Sequence, residues 1–320
     1  MRARVLMPTA TNLVRGDVLA GRYEILREIG SGGMGRVFEA YDRALKERVA
    51  VKVLKSAPDE ESRSRFLNEV KLARKIRHRN VVGLHEYGEE GDVPYFSMEF
   101  VEGEDLRHLI RARTALDWEA AYALAEQIGA GLQAAHEMGV VHRDLKPANV
   151  MIEPSGQVRV MDFGVAKGGG ERGATQVGMV LGTPEYMSPE QVLASDIDAR
   201  SDVYAFGVVI HEMFTGTVPF SGLTAMATML MHVENPVPLD PPHERLPGPL
   251  VPILRKALAK SRDDRYGSCG EMLEALAAAR RQQGTDPLPT PPGLGDSGKG
   301  ATILSVPKVD LNLPATAVPS

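Results

Sequence analysis

Apolar and polar side chains alternate through residues 23–54, which is the pattern of β-strands that bury one face. Three runs carry the alternation, namely YEILREI, RVFEAYD and RVAVKVL. A glycine cluster at 30–35 separates the first two runs, and polar residues 42–48 separate the last two, as in β-hairpins. Shorter runs at 81–87 and 94–101 predict two more strands. The first 100 or so residues are therefore expected to form a small sheet.

Helical spacing predicts one helix within this region and most of the remaining structure. Residues 59–79 form a helix in this interpretation, because one stripe repeats at spacings of three and four. The stripe consists of Phe66, Glu69, Val70, Ala73 and Ile76. Later helices are predicted at 117–138, 202–214, 249–260 and 270–281. The segment 202–214 is apolar nearly all round, so that helix is expected to be buried.

Composition limits the class of protein. Of 320 residues, 43% are apolar and 25% charged, which excludes wholesale disorder. The single cysteine, Cys269, excludes a disulfide framework and a cysteine-based zinc site. No apolar run reaches the roughly 18–20 residues of a membrane helix, and the N-terminus is a poor signal peptide, so a cytoplasmic protein is expected. Seven of the 22 prolines fall in 282–320, which predicts a disordered tail.

The charges are divided unevenly along the chain. The net charge of −5 is too small to indicate non-specific nucleic-acid binding, and no nucleic-acid partner is expected. Residues 1–101 carry 18 basic and 15 acidic side chains, whereas the remainder carries 19 and 27. The structured body therefore has two electrostatically different parts.

The glycine cluster reads Gly30-Ser31-Gly32-Gly33-Met34-Gly35-Arg36-Val37. Glycines let a backbone approach a phosphate group and direct its N–H groups at it, although a flexible hairpin tip has the same composition. A dinucleotide-binding oxidoreductase requires a helix directly after the glycines. Here an alternating strand follows them, which argues against that fold.

Two charged residues interrupt apolar patterns in the same region. Lys52 lies on a predicted strand among apolar neighbours, and Glu69 lies on the apolar stripe of the predicted helix. A carboxylate facing a core is costly unless it is paired. An ion pair between Lys52 and Glu69 would meet that cost, whereas a snorkelling lysine and a solvated glutamate are the alternative.

The strongest pattern is a polar loop between two short apolar runs, Val140-Val141-His142-Arg143-Asp144-Leu145-Lys146-Pro147-Ala148-Asn149-Val150-Met151-Ile152. The triplet Asp162-Phe163-Gly164 follows the next apolar run, 158–161. A carboxylate and an amide oxygen are hard ligands that suit Mg²⁺. A second carboxylate, not bound to the metal, is then available to accept a hydroxyl proton.

Together these motifs resemble those of eukaryotic-like (Hanks-type) protein kinases, most closely the bacterial serine/threonine branch. The matching residues are the glycine loop 30–37, VAVK at 49–52, Glu69, HRDLKPAN at 142–149, DFG at 162–164, GTPEYMSPE at 182–190, DVYAFG at 202–207 and Arg265. The resemblance covers about 23–281 and implies an α+β bilobal kinase fold. It divides the chain into an N-terminal extension 1–22, an N-lobe 23–101, a C-lobe 102–281 and the tail 282–320.

In this resemblance the cofactors are ATP and Mg²⁺, with Mn²⁺ as an alternative metal. Lys52 contacts the α- and β-phosphates and pairs with Glu69, while Asp162 and Asn149 hold the metal. Asp144 accepts or orients the proton of a serine or threonine hydroxyl on a protein substrate. Lys146 neutralises the transferring phosphoryl group.

The resemblance also implies the nucleotide contacts. Backbone groups of Glu99 and Val101 bind the adenine edge, and Met98 guards the space behind it. Ala50 and Met151 lie on either side of the adenine ring. The full implied set is Ile29, Gly30, Ser31, Gly32, Gly33, Met34, Gly35, Val37, Ala50, Lys52, Met98, Glu99, Val101, Met151 and Asp162.

Other implied roles concern support and regulation. Thr183 bonds near Asp144 and Lys146, Asp202 braces the catalytic loop, and Glu190 pairs with Arg265 in the interior. Residues 165–181 are glycine-rich, and autophosphorylated Thr175 is expected to dock on Arg143. Relatives can pair through the small lobe, so an N-lobe homodimer is a further expectation, and any activating signal is expected to arrive inside the cell.

Two alternative functions stay open at this point. A pseudokinase scaffold would bind partners without transferring phosphate, but the intact Lys52, Glu69, Asp144, Asn149 and Asp162 argue against it. A kinase-fold enzyme for small molecules is disfavoured by GTPEYMSPE, which resembles a peptide-binding loop.

Overall fold

We describe the protein from a computed structural model. It describes residues 13–32, 35–54, 60–91, 93–113, 115–163, 183–239 and 246–283, with the backbone alone for 60–66 and 283. The predictions for Gly33, Met34, Gly164, Thr175 and residues 284–320 lie outside the described residues.

The N-terminal part forms a six-stranded sheet of order β1-β2-β3-β4-β6-β5, in which all neighbouring strands are antiparallel. Its strands are β1 Val18–Leu19, β2 Tyr23–Ser31, β3 Gly35–Asp42, β4 Glu47–Leu54, β5 Leu84–Glu90 and β6 Val93–Glu99. The five longer strands confirm the five predicted runs, with β5 beginning three residues later than the predicted 81–87. The short β1 pairs with β2, and Leu13 and Leu19 are buried in the core on one face of the sheet, so residues ahead of 23 pack on this lobe.

Helix α1, Glu60–Ala73, covers the other face of this sheet. Val70 and Ala73 are buried there with Phe96 and Met98 of β6. The helix is shorter than the predicted 59–79. The last stripe residue, Ile76, lies beyond the helix and is buried in the core of the larger lobe instead.

The C-terminal part is mostly helical. Its helices are α2 Leu106–Arg113, α3 Trp118–Glu137, α4 Pro189–Val192, α5 Ala199–Thr215, α6 Ala225–Glu234, α7 Leu250–Ala257 and α8 Cys269–Gln283. This part also has a three-stranded sheet, formed by β7 Glu104–Asp105, β8 Val150–Ile152 and β9 Val158–Val160. A parallel β-bridge between Val81 and Val160 connects this sheet to the small lobe. Helix α5 is buried along most of its length, as its all-round apolar sequence predicts.

Local signals in the sequence explain where these helices begin and end. The Asp117 side chain accepts a hydrogen bond from the Ala120 N–H and begins α3, while Asp198 caps α5 in the same manner. Gly216 ends α5 with φ at +78°, a left-handed conformation that glycine adopts without strain. No helix in the described ranges has both the length and the hydropathy needed to cross a membrane.

Candidate active site

The loop between α3 and β8 places the side chains of Asp144 and Lys146 beside Thr183, which comes from a later segment. The Lys146 Nζ atom donates to Asp144 Oδ2 at 2.7 Å and to Thr183 Oγ1 at 3.1 Å. Asn149 Nδ2 donates to the Asp144 carbonyl at 2.8 Å. The predicted contact of Thr183 with Lys146 is confirmed. A carboxylate, an ammonium and a hydroxyl thus meet at a partly exposed position where a substrate hydroxyl could be held.

Asp202 on the buried helix α5 fixes the backbone of this loop. Its carboxylate accepts hydrogen bonds from the N–H groups of His142 at 2.7 Å and Arg143 at 2.9 Å, and from His136 Nε2 at 2.7 Å. Burial opposes the ionised form of Asp202, but these donors hold its pKa below the ordinary value. The predicted bracing role of Asp202 is confirmed. Arg143 adopts φ of +64°, a strained conformation that the Asp202 hydrogen bonds maintain.

His142 connects the loop 142–149 to the Asp162-Phe163 segment. Its Nε2 lies 2.8 Å from the Met161 carbonyl oxygen, and its ring lies 4.7 Å from the Phe163 ring. Burial lowers the pKa of His142, so the imidazole is neutral at ordinary pH and donates one hydrogen bond. The placement of Asp162 therefore depends on the same loop that carries Asp144.

The predicted ion pair between Lys52 and Glu69 is wrong for this structure. Lys52 Nζ lies 2.8 Å from Asp162 Oδ1, and Glu69 Oε1 lies 2.7 Å from Arg143 Nη1. Each predicted partner is thus paired with another candidate site residue, Asp162 or Arg143. Sequence reasoning identified Glu69 as a carboxylate that needs a cation, but it chose Lys52, because no local pattern in the sequence brings Arg143 near Glu69.

The pairing of Glu69 with Arg143 uses only one of the two carboxylate oxygens of Glu69. The second carboxylate oxygen of Glu69, Oε2, is buried and has no hydrogen-bond partner among the residues that the structure describes. A buried acceptor without a partner costs about 1–3 kcal/mol, so a donor to Oε2 would stabilise this carboxylate further. Lys52 itself is buried on β4, where its ammonium also faces the Phe96 ring.

Several predicted adenine contacts lie together. Val37, Ala50, Met98 and Val101 belong to one apolar cluster between the sheet and the second lobe. Ala50 and Met98 are directly opposite each other across the β4–β6 pair. Met151 lies half-buried on β8, whereas Ile29 is 40% exposed; neither belongs to that cluster.

The glycines of the 30–35 cluster differ in what requires them. A Cβ atom at Gly35 would lie 2.2 Å from the Val53 carbonyl oxygen, so close strand packing requires this glycine. Among the described residues, a Cβ at Gly30 would meet only Val37, at 3.9 Å, and one at Gly32 would meet nothing within 4 Å. Ser31 ends β2 between them. Packing does not explain why Gly30 and Gly32 are glycines, so the prediction that this loop approaches a phosphate group stands for these two residues.

The donor set at Asn149 and Asp162 fits a magnesium ion. Asn149 donates through Nδ2, which leaves its amide oxygen available to a cation. The Asp162 carboxylate already holds a cation, the Lys52 ammonium. One carboxylate and one amide oxygen are hard ligands, and Mg²⁺ commonly completes its shell with water and substrate phosphates.

A buried ion pair between Glu190 and Arg265 lies in the large lobe. Arg265 forms a bidentate pair with Glu190, with distances of 2.7 Å and 2.8 Å, and Ser201 Oγ donates to the same carboxylate at 2.6 Å. Burial raises the pKa of Glu190, but Arg265 and Ser201 outweigh it and hold the pKa below the ordinary value. The predicted pair is confirmed. Arg262 lies in a short 3₁₀ helix, Arg262–Asp264, and donates to the Asp196 carbonyl.

Sequence reasoning missed three supporting residues. His136 donates to Asp202 from α3, and Gln191 of α4 donates to the Arg143 carbonyl at 2.7 Å. Arg159 of β9 contacts the carboxylate of Glu99. Each is an isolated polar residue within a periodic segment, so no local pattern distinguishes it from a solvated side chain.

Comparison with known proteins identifies the class. The family model described as "Protein kinase domain" matches residues 23–276. The chain belongs to this family, and its relatives place it in the bacterial branch of Hanks-type serine/threonine kinases.

Individual relatives agree with this assignment. Serine/threonine-protein kinase PknA of Mycobacterium tuberculosis is 41% identical over 285 residues, which cover 87% of this chain and 66% of PknA. Serine/threonine-protein kinase PknB of the same species is 36% identical over 307 residues, 93% of this chain and 48% of PknB. A probable serine/threonine-protein kinase of Clostridium acetobutylicum is 36% identical over 274 residues, 85% of this chain and 42% of that protein. The chain thus spans two thirds or less of the length of these relatives.

Proposed function

We propose that this chain is an ATP-dependent protein serine/threonine kinase. The observation that carries the proposal is the convergence of Asp144, Lys146 and Thr183, with Lys146 Nζ within 3.1 Å of both partners. The Lys52–Asp162 pair and the Asn149 amide lie on the neighbouring segments. The kinase relatives support the same assignment.

In this proposal, Asp144 orients the acceptor hydroxyl and receives its proton as the γ-phosphoryl group leaves ATP. Lys146 supplies positive charge beside that group, since phosphoryl transfer depends mainly on positioning and charge neutralisation. Asn149 and Asp162 hold Mg²⁺, or Mn²⁺ in its place. The bound ion supplies charge neutralisation on the phosphates. Thr183 restrains Lys146 in the loop that faces the substrate.

The test is transfer of labelled phosphate from ATP to a protein substrate in the presence of Mg²⁺. We expect wild type to be active, and Asp144→Asn and Lys52→Met each to lose at least about 100-fold, the scale of one positioned acid–base group. EDTA should abolish transfer, because the phosphate charge would no longer be neutralised. Equal incorporation by all three proteins, or full activity in EDTA, would refute the assignment.

We also propose how the site is regulated. Arg143 is the predicted docking residue for phosphorylated Thr175, and in this structure it is paired with Glu69. A phosphate carries more negative charge than a carboxylate and forms strong hydrogen bonds with guanidinium groups, so it competes for Arg143. Glu69 is then free to pair with Lys52, which releases Asp162 for the metal. The buried Oε2 of Glu69, which has no partner within the described part of the chain, supports such an exchange.

A double-mutant comparison tests this exchange. Thr175→Ala should lower turnover at least about fivefold in the wild-type background, the scale of a typical coupling between two sites. In an Arg143→Ala background the same change should have no effect, because the residue that reads the phosphate is absent. An equal loss in both backgrounds, or full activity with unmodified Thr175 on phosphopeptide mapping, would contradict the exchange.

A further inference from the structure

A group of residues ties Glu99 to the large lobe at a distance from the catalytic loop. We call it the hinge junction; it consists of Arg79, Gly83, Glu99, Glu153 and Arg159. The Arg159 guanidinium, on β9, contacts the Glu99 carboxylate through Nη2. Its Nε atom lies 3.3 Å from Glu153 Oε1, and Nη1 donates to the Arg79 carbonyl at 2.8 Å. One arginine side chain therefore joins three separate segments.

Glu99 is held by its backbone as well as by its side chain. Its N–H donates to the Gly83 carbonyl at 2.9 Å, and the Gly83 N–H lies 3.4 Å from Glu99 Oε2. The segment around Gly83 is itself fastened to β9, where the Val82 N–H donates to the Val160 carbonyl at 3.0 Å. A closed ring of contacts thus runs from the end of β6 through the segment 79–83 to β9 and back through Arg159.

The Arg159 contacts differ from an ordinary surface ion pair. Exposed pairs contribute little because water screens them and both side chains lose rotamer freedom. The Arg159 side chain is only 13% exposed, although Glu99 is 41% exposed, and the two terminal nitrogens of Arg159 contact a carboxylate and a backbone carbonyl separately, with Glu153 within ion-pair distance of Nε. Loss of this side chain would leave Glu99 and the Arg79 carbonyl without a shared partner.

We propose that Arg159 is a positioning residue for nucleotide binding. By holding the Glu99 side chain against β9, it fixes the backbone of Glu99 and Val101, the proposed adenine-binding edge, before ATP arrives. Pre-organisation of a binding edge increases affinity without adding a contact to the ligand. This inference rests on the proposed kinase function, because it concerns the adenine site of that function.

The experiment measures ATP in two ways. In Arg159→Ala we expect the KM for ATP to rise at least about fivefold, the lower end of typical coupling between linked groups, with kcat within about twofold. Calorimetry should show the same weakening for ADP in the absence of protein substrate. Arg159→Lys should recover only part of the affinity, because a lysine keeps the charge but cannot contact Glu99 and the Arg79 carbonyl through two separate nitrogens of a rigid fork.

Two comparisons separate positioning from general damage. Arg280→Ala removes another arginine with a single exposed carboxylate partner, Glu119, and should leave ADP affinity unchanged. Glu99→Ala should weaken ADP like Arg159→Ala, and the double variant should be no weaker than the weaker single variant, since both remove one interaction.

The outcomes distinguish this inference from the proposed function. Unchanged ADP affinity in an active Arg159→Ala protein would overturn the role of Arg159 alone. Effects of Arg159→Ala and Glu99→Ala that multiply in the double variant would also overturn it. A wild-type protein that neither binds nucleotide nor transfers phosphate would overturn both proposals together.

Discussion

Two ion pairs of this protein, Glu190–Arg265 and Glu69–Arg143, differ in how deeply they are buried. The Glu190–Arg265 pair is almost completely enclosed, with side-chain exposures of 8% and 0%. The Glu69–Arg143 pair is 25% and 31% exposed. A half-buried pair can exchange partners at modest cost because water remains near both groups, whereas a fully buried pair cannot. The first pair therefore suits a structural role and the second a regulated one.

Removal of one partner of the enclosed pair should be costly. Glu190→Gln leaves the Arg265 charge uncompensated in the interior, which is expected to lower the free energy of unfolding by about 3–5 kcal/mol. Urea unfolding checks this. The control is Glu119→Gln, which removes an exposed partner of Arg280 and should change the unfolding free energy by no more than about 1 kcal/mol. Equal losses in the two variants would contradict the difference in burial.

The same pair predicts how stability depends on pH. The pKa of Glu190 is lower in the folded protein than its ordinary value of 4.5, so the ionised carboxylate stabilises the fold. That contribution is present above pH 4.5 and is lost as the pH falls through the lower, folded pKa. Glu190→Gln should therefore show a shallower decline of unfolding free energy below pH 4.5 than wild type. Parallel declines would contradict the assignment.

At the scale of elements, the sequence predicts the fold where periodicity and burial agree. Strand β2 alternates over Tyr23–Leu26, β4 is buried on both faces from Val49 to Leu54, and α5 is apolar all round because it is enclosed. Helix α6 was not predicted, because its polar side chains are buried and its apolar side chains are exposed, the reverse of the usual helical pattern. It buries Thr228 and His232, while Met226 and Leu230 are about half exposed. Strands of two residues, such as β1, are too short to show any period.

The glycine cluster yields a prediction about β3 and its neighbours. Gly35→Ala places a methyl group against the Val53 carbonyl, so β3 and β4 must separate, at a cost of about 1–3 kcal/mol. Gly32→Ala has open space around it and should change stability by no more than about 0.5 kcal/mol. Thermal unfolding of both variants decides the matter. Equal melting temperatures would show that Gly35 is not required by strand packing.

At the scale of the whole molecule, the two lobes meet through specific polar contacts as well as through the chain itself. The bridge between Val81 and Val160, the Arg159–Glu99 pair and the Arg143–Glu69 pair all join the lobes. The sequence predicted the site residues from their order and spacing. It could not predict the partner of Lys52 or Glu69, because that choice depends on how far α1 stands from the catalytic loop. Such a distance is set by packing between lobes and has no local sequence signal.

The central claim is that Asp144 acts in phosphoryl transfer and not in building the site. The direct measurement compares turnover and nucleotide binding in one preparation of Asp144→Asn, an isosteric change that removes the charge. We predict that turnover falls at least about 100-fold while ADP affinity stays within about twofold of wild type. Turnover near the wild-type rate, or loss of ADP binding in proportion to turnover, would contradict the account.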